Sequence, residues 1–166
     1  MDNRIWGLDL ATGKTWPIRP RTQGERVGHE YWHADGVHVG YHGEYPDGRK
    51  FFGRVRWDNT DDVEVDFPHQ PGHIHSNDFG LIVGDGQGDG RDRVIRLWRW
   101  NETTRAFDGP RVLCEHRGSF QVQQLHVHPR FSPDGRSVVF TSDRTGYGQV
   151  YEVEVGDLDD LPELGA

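Results

Sequence analysis

Three stretches of this 166-residue chain can be written one above another: HADGVHVGYH from His33, SNDFGLIVGD from Ser76 and SPDGRSVVFT from Ser132. Each carries a polar residue, then a turn containing Asp, then a run that reads as a buried strand. Short alternating segments surround them: RIWGLDL at 4–10, the return at 15–18, KFFGRVRW at 50–57, DVEVDF at 62–67, the stretches 94–100 and 110–116, and QVYEVEV at 149–155. Their apolar positions follow period 2, and no helix-period pattern of useful length occurs. The spacing of Asp35, Asp78 and Asp134 is within reach of one four-stranded blade per repeat. Evenly spaced short strands of this kind predict an all-β chain, a partial β-propeller of about three four-stranded blades. The blade units fall roughly at 1–67, 68–120 and 121–156, followed by an acidic tail at 157–166 that either orders briefly or frays.

Ten histidines are the unusual part of the composition. One lies just upstream of the turn in every repeat: His29 or His33, then His73 or His75, then His126 and His128. In a propeller, equivalent positions of successive blades surround one channel, so the recurrence predicts a shared site. His126-Val127-His128 in extended backbone would point both imidazoles to one face. Two imidazoles with amide side chains just upstream can make most of a site for Mn²⁺, Fe²⁺ or Zn²⁺. Strand parity puts Gln124 on that face rather than Gln123.

A formal net charge of −8 argues against general nucleic-acid binding. Arginine supplies almost all the positive charge, and it suits bidentate carboxylate recognition. The single cysteine, Cys114, rules out a disulfide framework or a Cys-rich zinc site and reads as a small buried hydrophobe. The opening residues MDNRIWGLDL have no basic flank or long apolar run, so the expectation is a soluble cytoplasmic protein with no membrane span.

GHEYWHADG, GHIHSN with LIVGDG, and Q-x-x-H-x-H-P-x-F-S-P-D-G with VVFTSD together resemble oligogalacturonate lyase, polysaccharide lyase family 22. The resemblance covers nearly the whole chain in order. It implies the C-terminal part of a seven-bladed propeller with a Mn²⁺-dependent site at one mouth. The implied activity is β-elimination of short oligogalacturonates to a 4,5-unsaturated uronate inside the cell. Carried over by motif, the metal ligands are His73, Gln123, His126 and His128. The general base is His29 of Gly-His-Glu, and Arg4 of Arg-Ile-Trp matches an arginine placed near substrate. The choice of Gln123 over Gln124 requires irregular backbone before Leu125.

The chemistry suits these residue types. A proton α to a carboxylate is weakly acidic, a divalent cation stabilises the charge formed as it leaves, and a neutral imidazole can accept it. Three blades cannot close a ring, so the expectation is either a fragment of a split or truncated reading frame, with impaired activity, or a chain whose exposed strand edges drive self-association or assembly with a partner chain that supplies further blades. A TolB-like propeller segment that binds carbohydrate or protein is the alternative, since PDG and FTSD recur in such repeats. A cupin-like metal enzyme fits less well, because neither His-x-His is followed by a suitably spaced Glu. Trp6, Trp32, Trp57, Trp98 and Trp100 read as packing between blades, with Trp32 also able to face a sugar. His42, His69 and His116 read as loop or strand-end residues, and Glu30 as a loop cap or an orienting partner of His29. Asp85 and Asp89 flank a Gly-rich stretch that reads as a turn rather than a calcium loop.

Overall fold

The computed structural model describes residues 4–69, 71–86 and 93–164. Asp89, in the Gly-rich stretch at 87–92, lies outside the described residues. The chain divides into two compact units, 1–69 and 70–166.

The first unit holds a two-stranded sheet of β1 (Ile5–Leu8) and β2 (Thr15–Ile18). It also holds a four-stranded sheet of β3 (Arg26–Trp32), β4 (His38–Glu44), β5 (Lys50–Arg56) and β6 (Val63–Asp66), paired in that order. The second unit has a four-stranded sheet of β7 (Ile74–His75), β8 (Leu81–Asp85), β9 (Val94–Asn101) and β10 (Ala106–Glu115). A three-stranded sheet follows, made of β11 (Arg130–Phe131), β12 (Ser137–Ser142) and β13 (Gln149–Glu154). All the ladders are antiparallel meanders. Among the described residues the only helices are two single 3₁₀ turns, and none is long and apolar enough to cross a membrane.

The aligned aspartates do the same work in each sheet. Asp35 Oδ1 accepts from the amides of Val37 and His38, Asp78 Oδ1 from Gly80, and Asp134 Oδ1 from Arg136. Each carboxylate therefore closes the turn between the first and second strands of its sheet. The sequence repeat is a repeat of turn chemistry.

The central strands depart from half-buried alternation. β8 and β9 are buried over most of their length, and so is the start of β4. Small residues make this possible. A Cβ on Gly84 of β8 would lie 2.7 Å from Pro71 Cβ and 2.9 Å from Trp98 Cζ3. Trp98 itself is fully buried, as predicted, whereas Trp6 and Trp32 are 57% and 55% exposed and do not pack in the core. Trp57 meets Trp16 edge to face instead, and Trp16 Nε1 donates to the Trp57 carbonyl at 2.7 Å.

One core runs between the two sheets of the second unit. Val83, Ile95 and Leu97 pack with Val127, Phe131, Val138, Phe140 and Val155. Leu158 and Leu161 of the acidic tail join its margin. Arg111 bridges to Glu163, and Val112 N–H donates to Pro162 O at 2.8 Å, so the tail is docked along β10.

Candidate metal centre

His73 precedes the short strand β7 and is held by one carboxylate at two points. Its backbone N–H donates to Asp85 Oδ1 at 2.6 Å, and its ring Nδ1 lies 2.7 Å from Asp85 Oδ2. Asp85 ends β8 and is fully buried, and its own amide donates to the His73 carbonyl at 3.2 Å. A carboxylate accepts only, so Nδ1 is the protonated nitrogen and Nε2 carries the lone pair. His75, two residues on, points elsewhere: it is buried, and its Nδ1 accepts from the Phe131 amide at 3.1 Å. Asn77 Nδ2 donates to Ser132 O at 2.6 Å. These two bonds tie β7 to β11 and set how His73 meets the segment that leads into β11.

That segment is not a strand. Gln123–Leu125 forms a 3₁₀ turn, His126 is extended, and His128 takes a left-handed φ of +43°. The two imidazoles come together for a different reason than period-2 geometry. Val127 between them is fully buried in the inter-sheet core, and its carbonyl accepts from Thr141 N–H of β12 at 2.9 Å. Anchoring Val127 inward turns its neighbours away from the core. The His126 and His128 rings then lie 5.7 Å apart, with centroids 5.3 and 4.0 Å from that of His73. Phe120 flanks them, with its ring stacked on His73 at 6.3 Å and tilted on His126 at 5.2 Å.

One ligand nitrogen from each of His73, His126 and His128 falls within 4.8 Å of the others. Imidazole nitrogens are ordinary ligands for a divalent cation, and these three would hold one together. His126 Nδ1 is buried without a hydrogen-bond partner among the described residues. An orphaned buried ring nitrogen is costly unless something else engages it, and a cation would. Burial together with the neighbouring His73 lowers the pKa of His128, which favours the neutral, coordinating form. The donor set therefore fits a borderline divalent metal.

The predicted base His29 and the predicted substrate arginine Arg4 lie in the first unit. His29 sits on a bulge in β3, where Gly28 pairs with His42 and Tyr31 with Gly40. Its φ of +55° is rare for a residue with a side chain, and bulges commonly re-aim a side chain in this way. The ring is exposed, and its Nδ1 lies 2.6 Å from Nε2 of His42. His42 is in the middle of β4, not in a loop or at a strand end. Arg4 Nε bonds Glu30 Oε1 at 2.7 Å, with a longer second contact of 3.3 Å to Oε2. Burial would raise the Glu30 pKa, but the Arg4 hydrogen bond and charge outweigh it and the net shift is downward.

Sequence reasoning brought His73, His126 and His128 to one place, and the geometry does so too. Gln123 and Gln124 are both exposed on the 3₁₀ turn, where strand parity has no meaning, and the Gln123 carbonyl accepts from His126 N–H at 3.2 Å. Asp85, Phe120 and His42 were missed as site neighbours. Asp85 stood in LIVGDG as an apparent turn residue, and no signal short of the β7–β8 pairing connects it to His73.

Antiparallel blade-like sheets with an imidazole cluster beside a shared core define a partial β-propeller with a metal-type site. Comparison with known proteins gives this class a more particular likeness, to oligogalacturonate lyases. No protein-family model matches the sequence. The chain is 27% identical over 176 aligned residues to the oligogalacturonide lyase of Pectobacterium atrosepticum and, over the same length, to the oligogalacturonate lyase of Dickeya dadantii. Both alignments cover 95% of this chain and 44% of the relative, so the chain spans less than half the length of the curated proteins it matches. An oligogalacturonate lyase structure from Vibrio parahaemolyticus superposes with a TM-score of 0.74 at 26% identity, covering 95% of this chain and 43% of that one. A structure of oligogalacturonate lyase in complex with manganese gives 0.73 at 23% identity, with 95% and 42% coverage, and that likeness is one of fold.

Proposed function

We propose that this chain carries the metal centre and base of an oligogalacturonate lyase, a Mn²⁺-dependent enzyme that cleaves short oligogalacturonates in the cytoplasm by β-elimination. The observation that carries the reading is the convergence of His73 with His126 and His128, in a chain similar to such lyases along 95% of its length.

In this reading His73, His126 and His128 hold the cation, with Gln123 as the amide ligand from the adjacent 3₁₀ turn. When bound, the cation supplies a Lewis acid that stabilises charge developing on the uronate carboxylate. His29 takes the proton from C5, the C5–H electron pair forms the C4=C5 double bond as the C4–O bond to the neighbouring sugar breaks, and the departing oxygen takes a proton from water. His42 orients the His29 ring through the 2.6 Å contact to Nδ1. Arg4 meets the substrate's carboxylate from its ion pair with Glu30. Self-association or a partner chain covers the sheet edges of these blades.

The test is digalacturonate incubated with the purified chain and Mn²⁺, followed by the ultraviolet absorbance of an unsaturated uronate, with light scattering on the same sample. Product formation that stops on chelation and returns with Mn²⁺ is the expected result. A metal-loaded assembly that makes no product would overturn the lyase assignment, and a stable monomer would remove the self-association.

A further inference from the structure

The three proposed histidine ligands are neutral donors, and a divalent cation among them gains no charge compensation from their rings. Among the described residues, the carboxylate bonded to one of these rings is that of Asp85. It is fully buried, and it grips the same residue twice, by backbone amide and by ring. A structural role for Asp85 needs only the amide bond, which closes the chain from 73 back onto the end of β8. The second bond, to Nδ1, does something further. It sets the His73 tautomer, with the lone pair on Nε2.

We infer that Asp85 is the positioning residue of the metal centre: it holds His73 as the Nδ1–H tautomer and supplies the negative charge that the imidazole trio lacks. The inference rests on the metal-site reading above and names a residue that reading does not contain. A carboxylate behind a ligating imidazole raises the ligand's basicity and restricts its rotation, and loss of such a partner typically weakens metal binding by roughly 10–100-fold.

The experiment uses the full chain and two readouts. In the metal-free protein, nitrogen-15 NMR of the histidine rings should report His73 as the Nδ1–H tautomer, and Asp85→Asn should give a mixture of tautomers. Manganese titration followed by electron paramagnetic resonance should show Asp85→Asn binding about 10–100-fold more weakly while its circular dichroism stays that of the parent. Asp85→Glu keeps the charge and guards against a folding defect in the Asn variant; it should retain more affinity than Asp85→Asn. A mixed His73 tautomer in the parent, or equal manganese affinity in the parent and a folded Asp85→Asn, overturns the inference while leaving the lyase reading intact. Failure of the parent to bind manganese at all would overturn both. A parent that binds manganese with His73 as the Nδ1–H tautomer, and an Asp85→Asn variant that binds it more weakly, but with no turnover of digalacturonate by the parent, would count against the lyase reading alone.

Discussion

The histidines of the first unit and those of the second arise from the same repeated pattern, yet they are employed differently. In the first unit the rings of His29, His38 and His42 are matched to polar partners. His29 meets His42 at 2.6 Å, and His38 lies between Asp35 and Asp61 at 2.5 and 3.0 Å. In the second unit three rings gather within ligand distance, and one of their nitrogens is buried with no partner among the described residues. Recurrence of histidine before a turn therefore does not by itself make a ligand. What separates the two is backbone. Around His38 and His42 the chain stays in a regular ladder, so each side chain meets whatever stands across from it. Around His126 and His128 it leaves the ladder, with only Val127 gripped by the core.

The largest effect that can break this comparison comes from exchanging one histidine of each kind for alanine. His126→Ala should reduce manganese affinity by more than the roughly 100-fold upper range for a supporting partner, because it removes a ligand and not its prop. His29→Ala should leave manganese affinity at the parent value and lower turnover by roughly 10²–10⁴-fold. Titration calorimetry and the unsaturated-uronate assay separate the two. Loss of manganese binding in His29→Ala would put that ring among the ligands and end the distinction drawn here.

Acid should also distinguish the units. His116 follows β10, is fully buried, and accepts from Gly118 N–H through Nδ1 at 2.9 Å. Burial pushes its pKa down to about 4. Between the ordinary value of 6.5 and 4 the unfolded chain takes up a proton that the folded chain refuses, so stability falls as pH drops through that window. The loss approaches something on the order of 3 kcal/mol at the lower end. In the first unit Asp35 acts in the same sense but over a lower pH window. Burial would raise its pKa, but the His38 ring and two backbone amides hold it at about 2. Its contribution is complete above the ordinary 3.8 and disappears only as pH falls toward 2. It is also smaller, because the carboxylate is 44% exposed and screened. Hydrogen exchange at pH 5 should therefore show β8–β10 opening before β3–β6. Simultaneous loss of protection in both would remove His116 as the sensitive group.

What could be read in advance follows the same division. The turn-forming role of Asp35, Asp78 and Asp134 was legible because side chain and turn are adjacent in sequence, and with them came the strand pattern and fold class. The meeting of His73 with His126 and His128 was legible as a recurrence, but the supposed strand geometry behind it was not what operates. A buried Val127 and a left-handed His128 do that work, and neither has a period to recognise. Asp85 was read as a turn residue because its partner stands twelve positions away, across a pairing only the fold reveals. Trp6 and Trp32 show the converse error: tryptophan suggests packing, yet the exposed positions on β1 and β3 leave both rings half open.

The smallest of the tests concerns the glycines beside the two sets of histidines. Gly84 precedes Asp85 with Pro71 and Trp98 pressed against it, while Gly28 precedes His29 with nothing within 4 Å of where a Cβ would stand. Gly84→Ala must displace the Pro71 ring or the fully buried Trp98, and should cost about 1–3 kcal/mol as overpacking. The displacement also pulls on the carboxylate that grips His73, so manganese affinity should fall together with the melting temperature. Gly28→Ala adds a methyl to open space in an extended strand and should change stability by no more than about 0.5 kcal/mol. Thermal melts of the two variants, with and without manganese, make the contrast directly. If Gly84→Ala melted like the parent and bound manganese as well, the close packing behind His73 would not be what holds it in place. The difference between a ring set by its surroundings and one carried on an open bulge would then have to be sought elsewhere.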